Sequence, residues 1–340
     1  MTKLGSGKIP PELLGALLGQ YTGRIDPALR LGPRLGTDAA VIQVDSSQFL
    51  VLAADPITFT THRVGWYAVH VNANDVAVCG ARPRWFLCTL LLPEGTEVSM
   101  VEEIFRELHT TCEALGISLV GGHTEVTAAV SQPTIAGTMA GVTRHPIAAD
   151  GARPGDVLLC TKGVAIEGTS ILAVEFAPNL RQQIDMETLQ RARSLATEPG
   201  ISIVQEALAA AEAGASALHD VTEGGILTAA WELATASRCG VQVDLDAIPV
   251  LPETEQIARA LRADPYRLLG SGCLLIACPP DRVHAIENAI REVGSTSTPI
   301  GRFLESGMLV KTTTGVEELT PCEDELARLL ANAGHQDDVA

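Results

Sequence analysis

The chain of 340 residues contains 24 Lys+Arg and 41 Asp+Glu, which gives a formal net charge of −17. Phosphate surfaces repel so acidic a protein, which argues against general binding to nucleic acid or to anionic membranes. Hydrophobic residues make up 46% of the chain, charged residues 19% and aromatic residues only 4%, so the composition is globular with an aliphatic interior. The length predicts two domains of ordinary size.

The first half of the chain predicts an α+β domain. Residues 99–115 carry apolar side chains at the spacing of one helical face. Gly80 follows an earlier helical run and is typical of a C-terminal cap. The predicted strands lie at 39–44, 49–54, 85–92, 117–121 and 133–143, and the predicted helices at 64–79 and 99–115.

The second half predicts an α/β domain. A turn-rich stretch at 150–156 marks the boundary, so we expect domains at 1–150 and 151–330 and a flexible polar tail at 331–340. Predicted helices lie at 167–176, 200–213, 223–238, 253–263 and 280–292, and predicted strands at 157–161, 216–220, 241–245, 273–278, 297–302 and 308–311.

The cysteines and the N-terminus bear on the compartment. Eight cysteines are scattered without a CxxC pair, which favours buried, reduced thiols over a structural zinc site. The N-terminus has no apolar signal-peptide core, and no run approaches the ~18 apolar residues of a membrane span. We therefore expect a cytoplasmic protein with no membrane partner.

Several acidic side chains lie at the ends of predicted elements beside small residues. Asp38 precedes the first strand, Asp55 ends the second, and a predicted turn at 121–125 (GGHTE) follows a buried strand. Mg²⁺ takes carboxylate oxygens together with substrate phosphates, and strand-end aspartates suit that need. Taken singly, each is more often a turn former, a cap or a surface charge. Asp75 differs, since a carboxylate inside an apolar helix is costly to bury without a partner.

Two further segments could bind an anion. Residues 219–226 join a strand to a helix, where Thr222 and Glu223 could cap the helix and leave amides for an anion, or form only a capping turn. Gly5-Ser6-Gly7-Lys8 lacks the spacing of a Walker loop. It is either a disordered terminus or a glycine-rich segment whose lysine closes over a triphosphate.

Taken in chain order, these motifs form one pattern. It consists of residues 8–14 (KIPPELL), 36–41 (GTDAAV), 54–55 (AD), 71–83 (VNANDVAVCGARP), 121–126 (GGHTEV), 153–159 (RPGDVLL), 219–226 (HDVTEGGI) and 271–277 (SGCLLIA). The pattern resembles the ATP-binding superfamily of aminoimidazole ribonucleotide (AIR) synthase, which also includes selenophosphate synthetase, thiamine-monophosphate kinase and the hydrogenase maturation factor HypE. The resemblance spans nearly the whole chain and is greatest to HypE-type AIR synthase-related proteins.

The resemblance implies a PurM-like fold, with an N-terminal α+β domain that dimerises through its sheet and a C-terminal α/β domain. It implies ATP and Mg²⁺ as cofactors, a small-molecule substrate and a homodimer. In such proteins the γ-phosphate passes to an oxygen or selenium nucleophile, or activates an amide oxygen for loss as phosphate. The matching positions are Asp38, Asp55, Asp75 and Glu125 for the metal, Lys8, Asn74, Gly121, Gly122 and Thr124 for the nucleotide, and His123, Asp220 and Glu223 for catalysis.

Two departures from the family pattern narrow the expected function. Thr37 replaces the first acid of the usual Asp-Asp pair, and the chain lacks the terminal cysteine of HypE proper, its last cysteine being Cys322. We therefore expect an ATP-dependent enzyme that phosphorylates or dehydrates a small oxygen-containing substrate, an amide being one candidate. The alternatives are a thiamine-monophosphate-kinase-like phosphotransferase and a non-catalytic nucleotide-binding maturation or scaffold protein.

Overall fold

A computed structural model describes Leu4, residues 8–58 and residues 60–337, with side chains up to Ala331. The helices are α1 (Pro11–Gln20), α2 (Val64–Val78), α3 (Val98–Leu115), α4 (Ile166–Glu175), α5 (Ala177–Leu180), α6 (Met186–Ser194), α7 (Val204–Ala213), α8 (Gly225–Ala236), α9 (Pro252–Leu261), α10 (Val283–Glu292) and α11 (Glu325–Asp337). The strands are β1 (Leu29–Leu31), β2 (Ala40–Gln43), β3 (Phe49–Ala53), β4 (Pro56–Ile57), β5 (Arg82–Leu92), β6 (Ser118–Val126), β7 (Thr134–Thr143), β8 (Val157–Thr161), β9 (Ala217–Asp220), β10 (Gly240–Asp244), β11 (Leu274–Cys278), β12 (Ser297–Leu304), β13 (Met308–Thr312) and β14 (Gly315–Glu318).

The chain forms two compact units. The first unit comprises Arg24–Pro33 and Asp38–Pro146, and the second comprises Met1–Gly23, Arg34–Thr37 and Ile147–Ala340. The described residues before residue 24 therefore group with the second unit, whereas the sequence predicts that they belong to a domain at 1–150. The functional division into domains stays a prediction.

The first unit is built on a seven-stranded sheet in the order β1-β2-β3-β7-β5-β6, with β4 beside β7. Strand β6 lies at the edge and pairs in parallel with β5, and the remaining pairings are antiparallel. Helix α2 contacts the sheet through β7 and also contacts α3, so it is buried on nearly every side. Its apolar residues therefore follow no single face, and its polar residues are enclosed with them.

The second unit has a seven-stranded sheet in the order β14-β13-β10-β12-β8-β11-β9. All its pairings are antiparallel except that between β10 and β13. Strands β9 and β11 are completely buried, and β9 delivers His219 and Asp220 to the sheet end where β11 begins. The segment after β9 and the segment before β11 therefore meet at one edge of the sheet.

Most predicted elements are present close to their predicted bounds, and two interpretations differ from the structure. The predicted turn at 121–125 is instead the second half of β6, because β5 supplies pairing partners as far as Val126. The predicted tail at 331–340 begins inside α11, which continues to Asp337, and residues 338–340 lie outside the described residues. Gly5, Ser6 and Gly7 also lie outside them.

The cysteines lie mostly in the interior, as their apolar surroundings in the sequence predict. All eight cysteines are free, and seven of them are buried. Burial raises the pKa of the thiols of Cys88 and Cys112 to about 11, so both stay protonated near neutral pH. Among the described residues, no helix has both the length and the hydropathy of a membrane-spanning segment.

Candidate functional site

In the first unit, the side chain of Asn72 holds the backbone of Asp55 in place. The Asn72 Oδ1 atom accepts a hydrogen bond from the Asp55 amide at 3.0 Å, and Nδ2 donates to the carbonyls of Asp55 at 3.1 Å and Ala68 at 2.9 Å. The next strand provides the space, since a Cβ on Gly137 would lie 2.5 Å from Asn72 Nδ2. The Gly137 amide also donates to the Asp55 carbonyl. The backbone of Asp55 is thus fixed just after β3, and its side chain is half-buried.

Asp75 lies about one helical turn after Asn72 in α2 and is buried, with 6% of its surface exposed. Asn74 beside it is fully buried. Asp38, which opens the segment before β2, is half-buried. Of the predicted metal ligands, Asp75 lies in α2, Asp38 precedes β2 and Asp55 follows β3. Only Asp75 of these three is buried.

The predicted residues on β6 lie elsewhere in this unit. His123 Nε2 and Glu125 Oε2 form a 2.9 Å contact, and both side chains are exposed. Gly121, Gly122 and Thr124 line a surface cavity of about 420 Å³ with residues of α3. The strand register runs from His123 through β5 and β7 to β4, so three strand spacings, about 14 Å, separate His123 from Pro56. The structure does not bring this group to Asp55.

Gly122 has a structural explanation in the packing of β6 on β5. Its φ is +144°, and a Cβ built on it would lie 1.8 Å from the carbonyl oxygen of Cys88. No other residue fits there without moving the strand. Gly121, with a φ of +155°, would place a Cβ no closer than 3.5 Å to Leu87, so only its backbone conformation favours glycine. Contact of either glycine with a nucleotide stays a prediction.

In the second unit, Lys8 contacts the turn between β9 and α8. Its Nζ lies 3.0 Å from Glu223 Oε2 and donates to Thr222 Oγ1 at 3.2 Å. The turn has two successive glycines with positive φ, 79° at Gly224 and 66° at Gly225. The Gly225 amide closes it by donating to the Thr222 carbonyl at 3.2 Å. Two predicted site residues, Lys8 and Glu223, therefore do meet, and Thr222, predicted only as part of the turn, lies beside them.

Below this turn, His219 contacts Glu232 of α8. His219 Nε2 lies 3.2 Å from Glu232 Oε2, and the side chains are 3% and 18% exposed. Burial opposes ionisation of Glu232, but the hydrogen bond with His219 and the charge of Lys8 outweigh it, so the pKa of Glu232 lies below its usual value. Because an ionised carboxylate only accepts, His219 Nε2 is the donor in this pair.

The loop that precedes Asp38 packs closely on the same helix. Gly36 has a φ of +71°, and a Cβ there would lie 2.5 Å from the Glu232 carbonyl oxygen. The Thr37 hydroxyl, which stands where the family has its first acid, donates to the Arg34 carbonyl at 2.9 Å. Thr37 therefore serves the local turn, while its oxygen can still accept a hydrogen bond.

Asp220 ends β9 and is 2% exposed. The backbone beside it is tied to the start of β11, since the Val221 amide donates to the Cys273 carbonyl and the Gly270 amide to the Thr222 carbonyl. The glycine-rich segment at 270–272 therefore braces the turn that carries Glu223. Catalysis by Asp220 and Glu223 stays a prediction.

Three further residues support these groups and were not predicted from the sequence as site residues. Asn72 supports Asp55, Glu232 contacts His219, and Asp324 accepts a hydrogen bond from the Gly224 amide at 2.7 Å. Each partner is distant in sequence, 100 residues in the case of Asp324. Asn72 alone carried a local signal, as a polar residue amid the apolar residues of a predicted helix.

The acidic residues of the first unit carry the donor atoms that a hard cation prefers, and a single metal site formed by them stays a prediction. Asp38, Asp55 and Asp75 offer carboxylate oxygens, the donors that Mg²⁺ prefers, and no thiolate or imidazole is needed among them. The second unit holds the Lys8–Glu223 and His219–Glu232 pairs around a glycine turn. Contact of Lys8 with a nucleotide stays a prediction.

Comparison with known proteins identifies the family of this chain. The model of the AIR synthase related protein N-terminal domain matches residues 36–143, and that of the C-terminal domain matches residues 153–311. The chain belongs to the AIR synthase related protein family. Together, the two domain matches cover every predicted site residue apart from Lys8.

Among curated proteins, the chain is similar to enzymes named carbamoyl dehydratase HypE. It is 29% identical to that of Cupriavidus necator over 285 residues, which is 81% of this chain and 78% of the relative. It is 28% identical to that of Rhodobacter capsulatus over 307 residues, 88% of this chain and 86% of the relative.

Among solved structures, a HypE–HypF complex matches with a TM-score of 0.73 at 18% identity, over 91% of this chain and 99% of the other. A complex of AaThiL with AMPPCP and TMP matches with a TM-score of 0.71 at 23% identity, over 92% and 94%. The hydrogenase maturation protein HypE in complex with ATP matches with a TM-score of 0.66 at 24% identity, over 95% and 98%. These likenesses show the fold, which is PurM-like as predicted.

Proposed function

We propose that this protein is a cytoplasmic, homodimeric enzyme that uses Mg-ATP to phosphorylate or dehydrate a small oxygen-containing substrate, with a carbamoyl or amide group as the substrate class. The observation that carries the proposal is the placement of two acidic residues of the first unit, since Asn72 fixes the backbone of Asp55 and Asp75 is buried in an apolar helix. Carboxylate oxygens are the donors that Mg²⁺ prefers, which supports a Mg-ATP site in this unit.

The relatives favour the same chemistry. Two curated relatives that match most of this chain are named carbamoyl dehydratases, and a structure with this fold was solved with ATP. In this reaction class, phosphoryl transfer makes an amide oxygen a leaving group, after which it departs as phosphate. The substrate proposed for this chain is a separate small molecule that carries such a group.

The proposal gives each unit a role. Asp38, Asp55 and Asp75 would hold Mg²⁺, which neutralises phosphate charge when bound. Lys8 would contribute a positive charge to the phosphates, exchanging its contact with Glu223 for one with the nucleotide. Glu232 would hold His219 in place, while Asp220 and Glu223 would orient the substrate.

One alternative has a specific observation in its favour. The fold matches AaThiL, solved with AMPPCP and TMP, nearly as well as it matches HypE. A kinase acting on a phosphorylated alcohol is therefore the second candidate. Thr37 in place of an aspartate counts against it, because that substitution removes one carboxylate from the metal ligands.

The proposed dimer rests on the exposed edge of the first sheet. Every residue of β6 is exposed, including Leu119, Val120 and Val126, and α3 adds Phe105 beside the cavity. An unprotected, partly apolar edge strand is a surface for pairing. A second copy of the chain would cover it, as the family resemblance implies.

The test is calorimetric titration of ATP with and without Mg²⁺, on the wild type, on Asp75→Asn and on Glu113→Gln. Glu113→Gln is the matched control, because it removes an exposed carboxylate from α3 of the same unit. We expect Mg²⁺-dependent binding in the wild type and the control and a loss of at least about tenfold in Asp75→Asn. Unchanged affinity in Asp75→Asn would remove Asp75 from the metal site.

Phosphate release then separates the candidates. Release that depends on a carbamoyl compound or an amide supports dehydration, and a phosphorylated product from thiamine monophosphate supports the kinase. Nucleotide binding with no turnover on any substrate of either class would instead identify a non-catalytic nucleotide-binding protein.

A further inference from the structure

A segment near the C-terminal end of the described chain covers the turn that carries Thr222 and Glu223. The Cys322 amide donates to Thr228 Oγ1 at 3.3 Å, and its Sγ donates to the Gly224 carbonyl at 3.5 Å. A Cβ on Gly224 would lie 2.4 Å from Thr228 Oγ1 and 3.1 Å from the Cys322 carbonyl oxygen. The turn is therefore closely enclosed by residues almost 100 positions later in the sequence.

Asp324 makes the strongest of these connections. Its Oδ2 accepts from the Gly224 amide and its Oδ1 accepts from the Leu326 amide, both at 2.7 Å. Asp324 is 7% exposed and immediately precedes α11. One carboxylate thus satisfies an amide of the turn and an amide in the first turn of α11.

The helix that holds Asp324 is itself anchored to a second loop. The Glu325 amide donates to the Arg267 carbonyl at 3.2 Å, and Glu325 Oε2 accepts from the Asp264 amide at 3.2 Å. That loop also borders the turn, because a Cβ on Gly225 would lie 2.4 Å from the Tyr266 carbonyl oxygen. The residue after Asp324 is therefore anchored to this loop, while the Asp324 carboxylate accepts the hydrogen bond of the Gly224 amide.

On its other side, the turn presents Thr222 and Glu223 to Lys8. The amide that Asp324 fixes is that of the residue directly after Glu223, in a turn whose two glycines have no side chain to restrict them. We propose that Asp324 is a positioning residue, whose carboxylate fixes the turn at 222–225 and thereby the Thr222 hydroxyl and Glu223 carboxylate that face the substrate. The catalytic part of this inference rests on the proposed function, and the structural part does not.

The serine variant Asp324→Ser separates the two bonds of the carboxylate. Serine still caps α11 by accepting from an amide of its first turn, but its short side chain does not reach the Gly224 amide. Asp185→Ser is the matched control, since Asp185 caps α6 through the Thr188 amide and hydroxyl with no link to the turn. If Asp324→Ser does not fold, Asp324→Asn takes its place, because its single carbonyl oxygen keeps only one of the two bonds.

The first readout is hydrogen exchange of the amides in residues 221–227. We expect Gly224 to exchange about tenfold faster in Asp324→Ser, with the control unchanged. Unchanged protection of Gly224 would overturn the proposal.

The second readout is turnover of Mg-ATP. We expect kcat to fall about tenfold in Asp324→Ser at an unchanged KM for ATP, with the control at the wild-type rate. A freed turn with wild-type kcat and KM would overturn the catalytic part of the proposal. If the wild type itself binds or hydrolyses no ATP, the proposed function fails, and the exchange comparison still decides whether Asp324 fixes the turn.

Discussion

At the scale of single residues, Asn72 shows how a neutral side chain serves a charged one. The three hydrogen bonds of its side chain described above all go to main-chain groups, and two of them go to Asp55. A buried hydrogen bond is costly to remove without replacement, because the groups left behind have neither a protein partner nor a water molecule to bond to. The position of the Asp55 carboxylate therefore depends on a residue that carries no charge.

Replacing Asn72 with alanine should cost about 2–4 kcal/mol of unfolding free energy, since it strands the Asp55 amide and leaves a cavity against Gly137. Urea unfolding measures this directly. Gln132→Ala is the control, because Gln132 also donates to a backbone carbonyl, that of Thr58, but is exposed. Equal losses in the two variants would contradict the assigned role of Asn72.

Asp324 makes a second residue-level prediction, on pH. Burial raises its pKa from 3.8 to about 6 despite the hydrogen bonds from the Gly224 and Leu326 amides. The folded chain thus binds this proton more tightly than the unfolded chain. The resulting contribution to stability is complete below the unfolded pKa and is lost as the pH rises through the folded one, a change of about 3 kcal/mol.

Urea unfolding of the wild type and Asp324→Asn between about pH 3 and pH 7 tests this. The wild type should lose stability relative to the variant between about pH 4 and pH 6, where the aspartate alone titrates. Parallel pH profiles for the two proteins would show that the carboxyl group has an ordinary pKa.

The contrast between residues found from the sequence and residues missed has a physical cause. Asp75 was singled out because its burial cost follows from the apolar residues around it in the chain. Glu232 and Asp324 gave no such signal, because their partners lie 13 and 100 residues away and only the fold brings them together. The roles assigned to Asp38, Glu125 and the other predicted ligands stay predictions.

At the scale of secondary structure, β6 is shaped by its two glycines. Both have positive φ, yet only Gly122 lies against the backbone of the neighbouring strand. The two positions thus separate the effect of backbone strain from that of close approach, within one strand and one residue apart.

Gly122→Ala should destabilise the protein by at least about 2 kcal/mol more than Gly121→Ala, because its Cβ would displace the Cys88 carbonyl from the β5–β6 pairing. Thermal or urea unfolding of the two variants gives the comparison. Similar unfolding free energies would mean that strain alone accounts for both glycines.

The same scale shows where sequence patterns succeed and fail. Helix α3 was predicted almost to its bounds, since it has one apolar and one polar face, and the buried strands β8 and β11 follow from short apolar runs. Helix α6 was missed because charged and polar residues dominate it, with Thr188, Leu189 and Ala192 as its buried contacts. The turn predicted at 121–125 was wrong because glycines in a strand edge look like those in a loop.

At the scale of the whole molecule, charge opposes the proposed association. Each copy has a formal net charge of −17, so a dimer has twice that, −34. Like charges of this size repel over about a Debye length, about 8 Å at physiological salt, and added salt weakens the repulsion. The contact proposed through β6 would therefore need to be strong enough to outweigh this repulsion.

We expect sedimentation velocity to show a dimer whose affinity increases with salt, and Val120→Asp to shift it to monomer. Val120 is 51% exposed on β6. Val98→Asp is the control, since Val98 is an even more exposed valine, at the start of α3 and outside the residues that line the cavity. A Val120→Asp variant that stays dimeric would place the interface elsewhere.

The hydrogen bond between Gly224 and Asp324 also orders events during biosynthesis. The ribosome adds 100 residues after Gly224 before the carboxylate that fixes it exists. The strands around the turn can pair earlier in translation, but the turn itself cannot adopt its final, fixed form until Asp324 has left the exit tunnel. A nascent chain therefore carries this turn without its fixing contact for about 100 residues of synthesis, which delays the final form of the turn until Asp324 has emerged.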